Sequence, residues 1–164
     1  MRKTTLSLSI LLSLLVLFIS CEKQKEKTWT SFYDFTVADI AGSYVPNPDE
    51  SVYEESPTDG MTVYDNASLT ITELSDNNIS VRIIIPDEIN KVFTGNIEPN
   101  NNLAIIKLTQ GLYESFTANV YKDSQNQIRL SGYESRSIYG ANSELVDKKV
   151  YGFDVIKIED RRQN

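Results

Sequence analysis

The sequence predicts an all-β domain, an antiparallel up-and-down meander of about eight strands that closes into a barrel after a short N-terminal helical turn. Three observations predict it. Apolar and polar residues alternate with period two along several segments. Short clusters of Asn, Asp, Gly and Pro separate these segments, and such connections leave consecutive strands antiparallel. An open meander exposes its edges, and closure removes them. The alternative to a barrel is an open or sandwiched antiparallel sheet.

The helical turn is predicted near residues 36–41. Thr36 and Asp39 have the spacing of a capping box, in which each side chain satisfies a backbone amide of the other residue. Gly42 would end the turn. The aromatic residues before it form either a lid packed over one end of the core or an exposed binding surface, and we favour the lid: Trp29, Phe32, Tyr33 and Phe35.

The strands follow after Gly42. In the clearest cases the apolar residues share one face, as Ile79, Val81, Ile83 and Ile85 do. The candidate strands are Ser43–Val45, Met61–Tyr64, Ser68–Leu74, Ile79–Ile85, Lys91–Ile97, Leu103–Leu108, Tyr113–Tyr121, Gln127–Glu134 and Lys149–Ile158. In the last strand the apolar pattern changes parity between Val155 and Ile156, which either a β-bulge or packing on both faces would explain.

Two polar segments, 46–60 and 135–143, are predicted as long loops at the rim of the barrel. Segment 46–60 carries five carboxylates and no cation. A solvated loop, a calcium site and a pair of catalytic carboxylates are the alternatives. We favour the solvated loop, because no EF-hand spacing is present and adjacent exposed acids do not converge. We therefore expect no metal ion.

Cys21, the single cysteine, lies where an apolar run ends and a charged run begins. Arg2 and Lys3 form a positive N-terminal region, and Leu6 to Ile19 form the apolar region of a secretory signal. The placement resembles a bacterial lipoprotein signal, of the relaxed kind found in Bacteroidetes, in which the cysteine becomes the lipidated first residue. A spanning helix needs about twenty apolar residues, more than this run supplies. An ordinary cleaved signal or an uncleaved anchor is the alternative.

This resemblance implies acyl chains such as palmitate on Cys21, each buried CH₂ contributing about 0.8 kcal/mol to membrane binding. The chain would then lie in the bacterial cell envelope, anchored by lipid to the outer membrane. The sequence divides into a signal peptide at 1–20, lipidated Cys21 and a tether at 21–35, a barrel domain at 36–158, and a C-terminal tail at 159–164.

Composition excludes several kinds of chemistry. The chain has no histidine, which removes Ser-His-Asp and Cys-His nucleophile pairs and histidine-ligated zinc. No Gly-rich phosphate loop occurs. Removing the signal with Arg2 and Lys3 leaves 14 basic residues against 23 acidic residues, a net charge of −9 that disfavours nucleic acid. We expect no catalytic residue, no cofactor and no enzymatic activity.

The segment Gly42-Ser43-Tyr44, following Asp39-Ile40-Ala41, resembles the first strand of small lipocalin-like domains of bacterial lipoproteins. A closing strand from Tyr151 to Ile158 completes the resemblance, which covers about residues 36–158. The family usually has Trp where Tyr44 stands, packed against a basic side chain near the closed end of the barrel. Lys157 or Arg129 would take that role here.

The predicted fold is compatible with two functions, and the volume of the barrel interior would distinguish between them. The first is a barrel that binds a small apolar or amphipathic ligand. The residues predicted to contact it are Tyr44, Tyr113, Tyr133, Arg136 and Tyr139, since tyrosines and a scarce arginine suit such pockets. The second is a filled barrel whose outer surface contacts an envelope protein or a glycan. A cavity of about 300 Å³ supports the first function, and a solid interior with an exposed apolar patch supports the second.

Overall fold

A computed structural model describes residues 27–48, 52–56, 60–75, 77–97 and 103–158. The predicted signal peptide, Cys21 and the tail 159–164 lie outside the described residues. The helix is α1 (Val37–Ile40). The strands are β1 (Thr30–Ser31), β2 (Gly42–Pro46), β3 (Val52–Ser56), β4 (Gly60–Tyr64), β5 (Ser68–Ser75), β6 (Asn78–Ile85), β7 (Ile89–Asn96), β8 (Ile105–Gln110), β9 (Glu114–Lys122), β10 (Ile128–Tyr139) and β11 (Leu145–Lys157).

All eleven strands belong to one sheet, and the all-β, antiparallel prediction is confirmed. The main path runs β1-β9-β10-β11-β2-β5-β6-β7, with β8 paired to β9, and with β3 paired to β11 and β4. Within the described ranges β7 pairs only with β6, and β8 pairs only with β9. The sheet is therefore not closed, and the predicted barrel is not confirmed.

The predicted capping box is confirmed at α1. The Thr36 hydroxyl accepts from the Asp39 amide at 3.3 Å, and the Asp39 carboxylate accepts from the Thr36 amide at 2.7 Å. These two bonds satisfy amides that a one-turn helix cannot pair internally. The turn buries Val37 and Ile40 against the sheet.

The core fills one face of the sheet. The alternating residues of β5, β6 and β9 are buried as the sequence predicts, including Ile79, Val81 and Phe116. The Phe116 and Phe153 rings stack in parallel, with centroids 5.3 Å apart. A fully buried side chain of this size stabilises the fold by about 2–3 kcal/mol relative to an exposed one.

Strand β11 is buried on both faces just before the parity change, whereas Ile156 is half-buried and Ile158 is exposed. Residues 151–155 are all buried. The register with β10 runs without a shift from Arg129↔Ile156 to Ile138↔Asp147, so no bulge lies at Val155. On the outer face Asp154 is buried because the Arg129 guanidinium donates to both of its oxygens.

The prediction of two long rim loops is wrong in part, because each segment contains strand residues. Segment 46–60 contains β3, which pairs with β4 and with β11. Segment 135–143 contains the end of β10, which runs on to Tyr139 and pairs with β11 beyond the predicted strand. In both cases cross-strand hydrogen bonding extends the strand where the side-chain pattern gives no alternating signal.

The aromatic residues before α1 lie largely against the sheet. Thr30 and Ser31, in the segment assigned to the tether, pair with β9, and the Phe32 amide donates to the Val120 carbonyl at 2.9 Å. Phe35 belongs to the core, whereas Tyr33 is exposed. This packing favours the predicted lid over an exposed binding surface. No helix in the described part of the chain is long and apolar enough to cross a bilayer.

Candidate functional site

The sheet has two ends with different chemistry. The helix end holds α1, the first residue of β2 and the last residues of β11. The hairpin end holds the turns that join β6 to β7, β8 to β9, and β10 to β11. The predicted ligand residues are divided between these two ends, so they do not form one pocket.

Tyr44 lies at the helix end, fully buried. Its hydroxyl donates to the Ile40 carbonyl at 2.6 Å, and burial raises its pKa. Lys157 lies opposite Tyr44 in the β2–β11 register, and its Nζ donates to the Asp39 carbonyl at 2.7 Å. Burial lowers the Lys157 pKa, and nearby Asp39 opposes that effect. Lys157, rather than Arg129, thus takes the place beside Tyr44.

An open groove of about 680 Å³ lies next to α1. Lys122, Gln127 and Lys157 contribute polar groups to its wall. Lys122 also lies over the Phe32 ring, 4.5 Å from its centroid, and the Lys157 ammonium is bonded to α1. These cations are therefore engaged in packing the helix end.

Three of the predicted tyrosines lie on the outer face of the hairpin end, which we call the tyrosine patch, with Tyr133 on the same face of β10 as Tyr139 but six residues before it. Tyr113, Tyr133 and Tyr139 are each 40–48% exposed. The Tyr113 and Tyr139 rings contact each other, with centroids 4.3 Å apart. The Ser137 amide donates to the Tyr113 carbonyl at 2.9 Å, which fixes the β8–β9 turn against β10. Leu145, opposite Tyr139 in the register, extends the patch and is 56% exposed.

Arg136 is not part of this patch. Strand alternation places it on the same face as Leu130 and Glu134, away from the tyrosines. Its Nε lies 3.5 Å from the Glu134 carboxylate, and its guanidinium lies 5.9 Å from the centroid of the Tyr151 ring. The structure therefore brings Arg136 to the interior of the hairpin end.

Glu134 is a candidate that sequence reasoning missed. Its side chain is fully buried between Phe116 and Tyr151, its register partners on β9 and β11. Neither carboxylate oxygen has a hydrogen-bond partner among the described residues, and neither does Arg136 Nε. Such groups are rare in folded proteins, because an unpaired buried acceptor costs about 1–3 kcal/mol.

Burial raises the pKa of Glu134 to about 7. Arg136 and Lys91 act in the opposite direction, and the Glu114 carboxylate adds to the rise. Lys91 and Glu114 are paired with each other by a salt bridge. Glu134 therefore keeps an unusual affinity for a proton despite two cations nearby.

Glu134 lines a small cavity in the interior. The space holds about 10 Å³, about the volume that one water molecule needs. Apart from Ser68, its other walls come from apolar or aromatic side chains on β3, β5, β6 and β11: Val52, Leu69, Ile83, Ile85, Tyr151, Phe153, Val155 and, just before β5, Ala67. The interior in this region is packed, with one carboxylate facing the gap.

Strand alternation could have revealed Glu134. Leu130, Gly132 and Glu134 share one face of β10, and Leu130 is an obvious core residue. A carboxylate two pleats further on the same face is either at the end of the sheet or buried. The predicted strand ended at Glu134, which placed it at the end, whereas β10 continues for five more residues.

Comparisons with protein-family models, with curated proteins and with solved structures find no match for this chain. The proposals below therefore depend on the residues and their geometry.

Proposed function

We propose that this chain is a non-catalytic, lipid-anchored interaction module of the bacterial cell envelope, held at the outer membrane, whose tyrosine patch binds a partner protein. One observation carries the proposal. The interior near the hairpin end is filled to within about 10 Å³, while the outer face of the same end exposes a cluster of aromatic and aliphatic side chains. Exposed apolar clusters of this kind mark interaction sites.

The composition of the patch favours a protein over a glycan. Leu145 and Val146 are 56% and 62% exposed beside Tyr139, and Leu112 is 87% exposed beside Tyr113. Aliphatic side chains gain most when another apolar surface excludes water from them. Tyrosine and buried apolar residues are also typical of the centre of protein interfaces.

The described chain begins at the helix end of the domain, opposite the tyrosine patch. Lys27, the first described residue, donates to the Gln127 side chain at the helix end. Cys21 is six residues earlier, so the two Cα atoms are at most about 20 Å apart. A lipidated Cys21 would hold the helix end towards the membrane and direct the tyrosine patch away from it, where a partner has access.

A photo-crosslinking experiment in the native envelope tests the patch. A benzophenone amino acid at position 137, between Tyr133 and Tyr139, should link the chain to one protein. The double variant Tyr133→Ser, Tyr139→Ser should reduce that product at least tenfold. Leu74→Ser, Val92→Ser is the matched control, since both side chains are exposed elsewhere on the sheet. Equal loss in both variants, or crosslinks only to polysaccharide, would contradict the proposal.

The anchor has a separate test. The variant Cys21→Ser should move the protein from the membrane fraction to the soluble fraction and abolish incorporation of labelled palmitate, with its circular dichroism unchanged. Continued membrane association of this variant would rule out the lipid anchor.

A ligand-binding lipocalin-like barrel is the second candidate function, and Glu134 is the observation that favours it. A buried carboxylate that faces an apolar cavity and has no hydrogen-bond donor among the described residues suits an amphipathic ligand better than a core that serves only stability. We also propose that β7 and β8 adjoin along a seam that closes the barrel. The Lys91–Glu114 salt bridge spans from β7 to β9, and a side chain at Gly95 would meet Leu108 of β8 at 3.0 Å.

A further inference from the structure

We propose that Glu134 marks a binding site for a small amphipathic amine, whose ammonium group pairs with the carboxylate and whose apolar body lies against Ile83 and Ile85. This inference rests on the second candidate function, a ligand-binding interior. It deepens that function by naming the class of ligand.

The hydrogen-bonding capacity of Glu134 points to a donor. An ionised carboxylate only accepts hydrogen bonds, and both of its oxygens lack a donor among the described residues. Arg136 lies close enough for attraction, but at 3.5 Å its Nε makes no hydrogen bond. A primary ammonium group is compact and carries three donors, so it can satisfy both oxygens at once.

The walls of the cavity point to an apolar body. Ile83, Ile85 and Phe153 line it together with other aliphatic residues, and Glu134 is its one ionisable carboxylate. A hydrated inorganic cation would lose its water against these side chains without enough oxygen ligands to replace it. An alkyl chain gains about 0.8 kcal/mol for each CH₂ that it buries there.

Strand β3 provides the way in. Val52 forms one wall of the cavity and is buried, and within the described residues β3 joins the main sheet through two register pairs with β11. By comparison, β10 and β11 share eleven register pairs. Moving the β3–β4 hairpin aside as a unit keeps its own five register pairs, breaks few of the described pairs with β11, and would widen the present 10 Å³.

The charges around Glu134 set how binding should depend on pH. Arg136, Lys91, Glu114 and the Tyr151 hydroxyl face or adjoin it from β7, β9, β10 and β11. The pKa of Glu134 is about 7, so the carboxylate is ionised above that pH and mostly protonated below it. An ammonium ligand should therefore bind more tightly at pH 8 than at pH 5.5.

The test uses three probes of equal length: hexylamine, 1-hexanol and hexanoate. The full chain carries Cys21→Ser to keep it free of acyl groups, and the methyl resonances of Ile83 and Ile85 are followed by NMR at pH 8. Hexylamine should shift these resonances to saturation, hexanol should bind at least tenfold more weakly, and hexanoate should not bind.

Two variants complete the experiment. Glu134→Gln keeps the shape and removes the charge, and it should weaken hexylamine binding at least tenfold. Glu73→Gln alters an exposed carboxylate on β5 and should leave binding unchanged. If hexanol or hexanoate binds and hexylamine does not depend on Glu134, the amine site is overturned while ligand binding stands. If none of the probes shifts the interior methyls, the second candidate function falls with it, and the patch proposal is unaffected.

Discussion

The polar side chains around α1 and the buried Glu134 at the other end of the sheet differ in their hydrogen bonding. At the helix end the Tyr44 hydroxyl, the Lys157 ammonium and the Thr36 and Asp39 caps all have hydrogen-bond partners on or beside α1. At the hairpin end, Glu134 is buried without any among the described residues. Satisfied polar groups fix a structure, whereas an unsatisfied one lowers stability and is a candidate for function. The contrast supports a structural role for the helix end, and it is the reason why we propose binding at the hairpin end.

Replacing Tyr44 should have the largest effect, because it removes both packing and the bond to Ile40. Tyr44→Ala should lower the free energy of unfolding by about 4 kcal/mol. Urea denaturation followed by tryptophan fluorescence measures this change. Tyr33→Ala, at an exposed position before α1, is the control and should stay within about 0.5 kcal/mol of the wild type. Equal effects of the two variants would remove the special role of the helix end.

Glu134→Gln should raise stability at high pH, the opposite sign to Tyr44→Ala. The Glu134 pKa rises from 4.5 to about 7 on folding, so between these values the folded state binds more protons than the unfolded state. Stability therefore falls as pH rises from 4.5 to 7, by up to about 3 kcal/mol, and stays low above pH 7. The glutamine side chain does not titrate, so the stability of the Glu134→Gln variant should not fall over this pH range.

Urea titrations at pH 4.5, 6 and 8 measure that difference, with Arg136, Lys91, Glu114 and Tyr151 left in place around position 134. Wild-type protein and the variant should be closest in stability at pH 4.5 and furthest apart at pH 8. Glu73→Gln should follow the wild type at all three values. A variant that is less stable than wild type at pH 8 would mean that Glu134 has a partner in solution.

Loss of the α1 cap should have a smaller effect. Thr36→Ala removes the acceptor for the Asp39 amide and should cost about 1 kcal/mol. Thr94→Ala, at an exposed site on β7, serves as the control. No difference between these two variants in thermal unfolding would show that the capping box does not stabilise the helix end.

The smallest expected difference is in the hydrogen-exchange rates of the strands at the proposed seam between β7 and β8. Each of these strands is paired on one side within the described residues, whereas β10 is paired on both sides. Backbone amides without a ladder partner exchange faster. Hydrogen exchange by mass spectrometry should therefore be faster in peptides from β7 than in peptides covering residues 128–136. Equal protection would indicate that backbone hydrogen bonds join β7 to β8 along the seam.

The sequence predicts those parts of the fold that depend on local pattern. Alternation placed Ile79, Val81 and Phe116 in the core, and the Thr36–Asp39 spacing placed α1. Strand β3 was not predicted, because the segment Val52–Ser56 is short and acidic. Its pairing with β4 and β11 depends on tertiary contacts, which the local sequence does not show. Closure of the sheet is likewise a property of non-local pairing, which no segment encodes alone.

The candidate sites divide in the same way. Residue type indicated the tyrosines, and their grouping on one outer face follows from strand parity together with the extension of β10 to Tyr139. The burial of Glu134 could not be predicted without knowing where β10 ends. The residues next to a glutamate in the sequence do not show whether it lies at the end of a strand or in its middle. Tyr44 was predicted to contact a ligand, and in the structure it bonds to α1 at the end distant from Glu134.

The titration of the Glu134 side-chain carboxyl by carbon-13 NMR tests the contrast between the two ends most directly. If the carboxylate is buried without a partner, its pKa should lie near 7, well above the 4.5 of a solvated glutamate. A measured pKa below about 5 would show that donors reach the carboxylate in solution, and Glu134 would then no longer differ from the hydrogen-bonded groups beside α1.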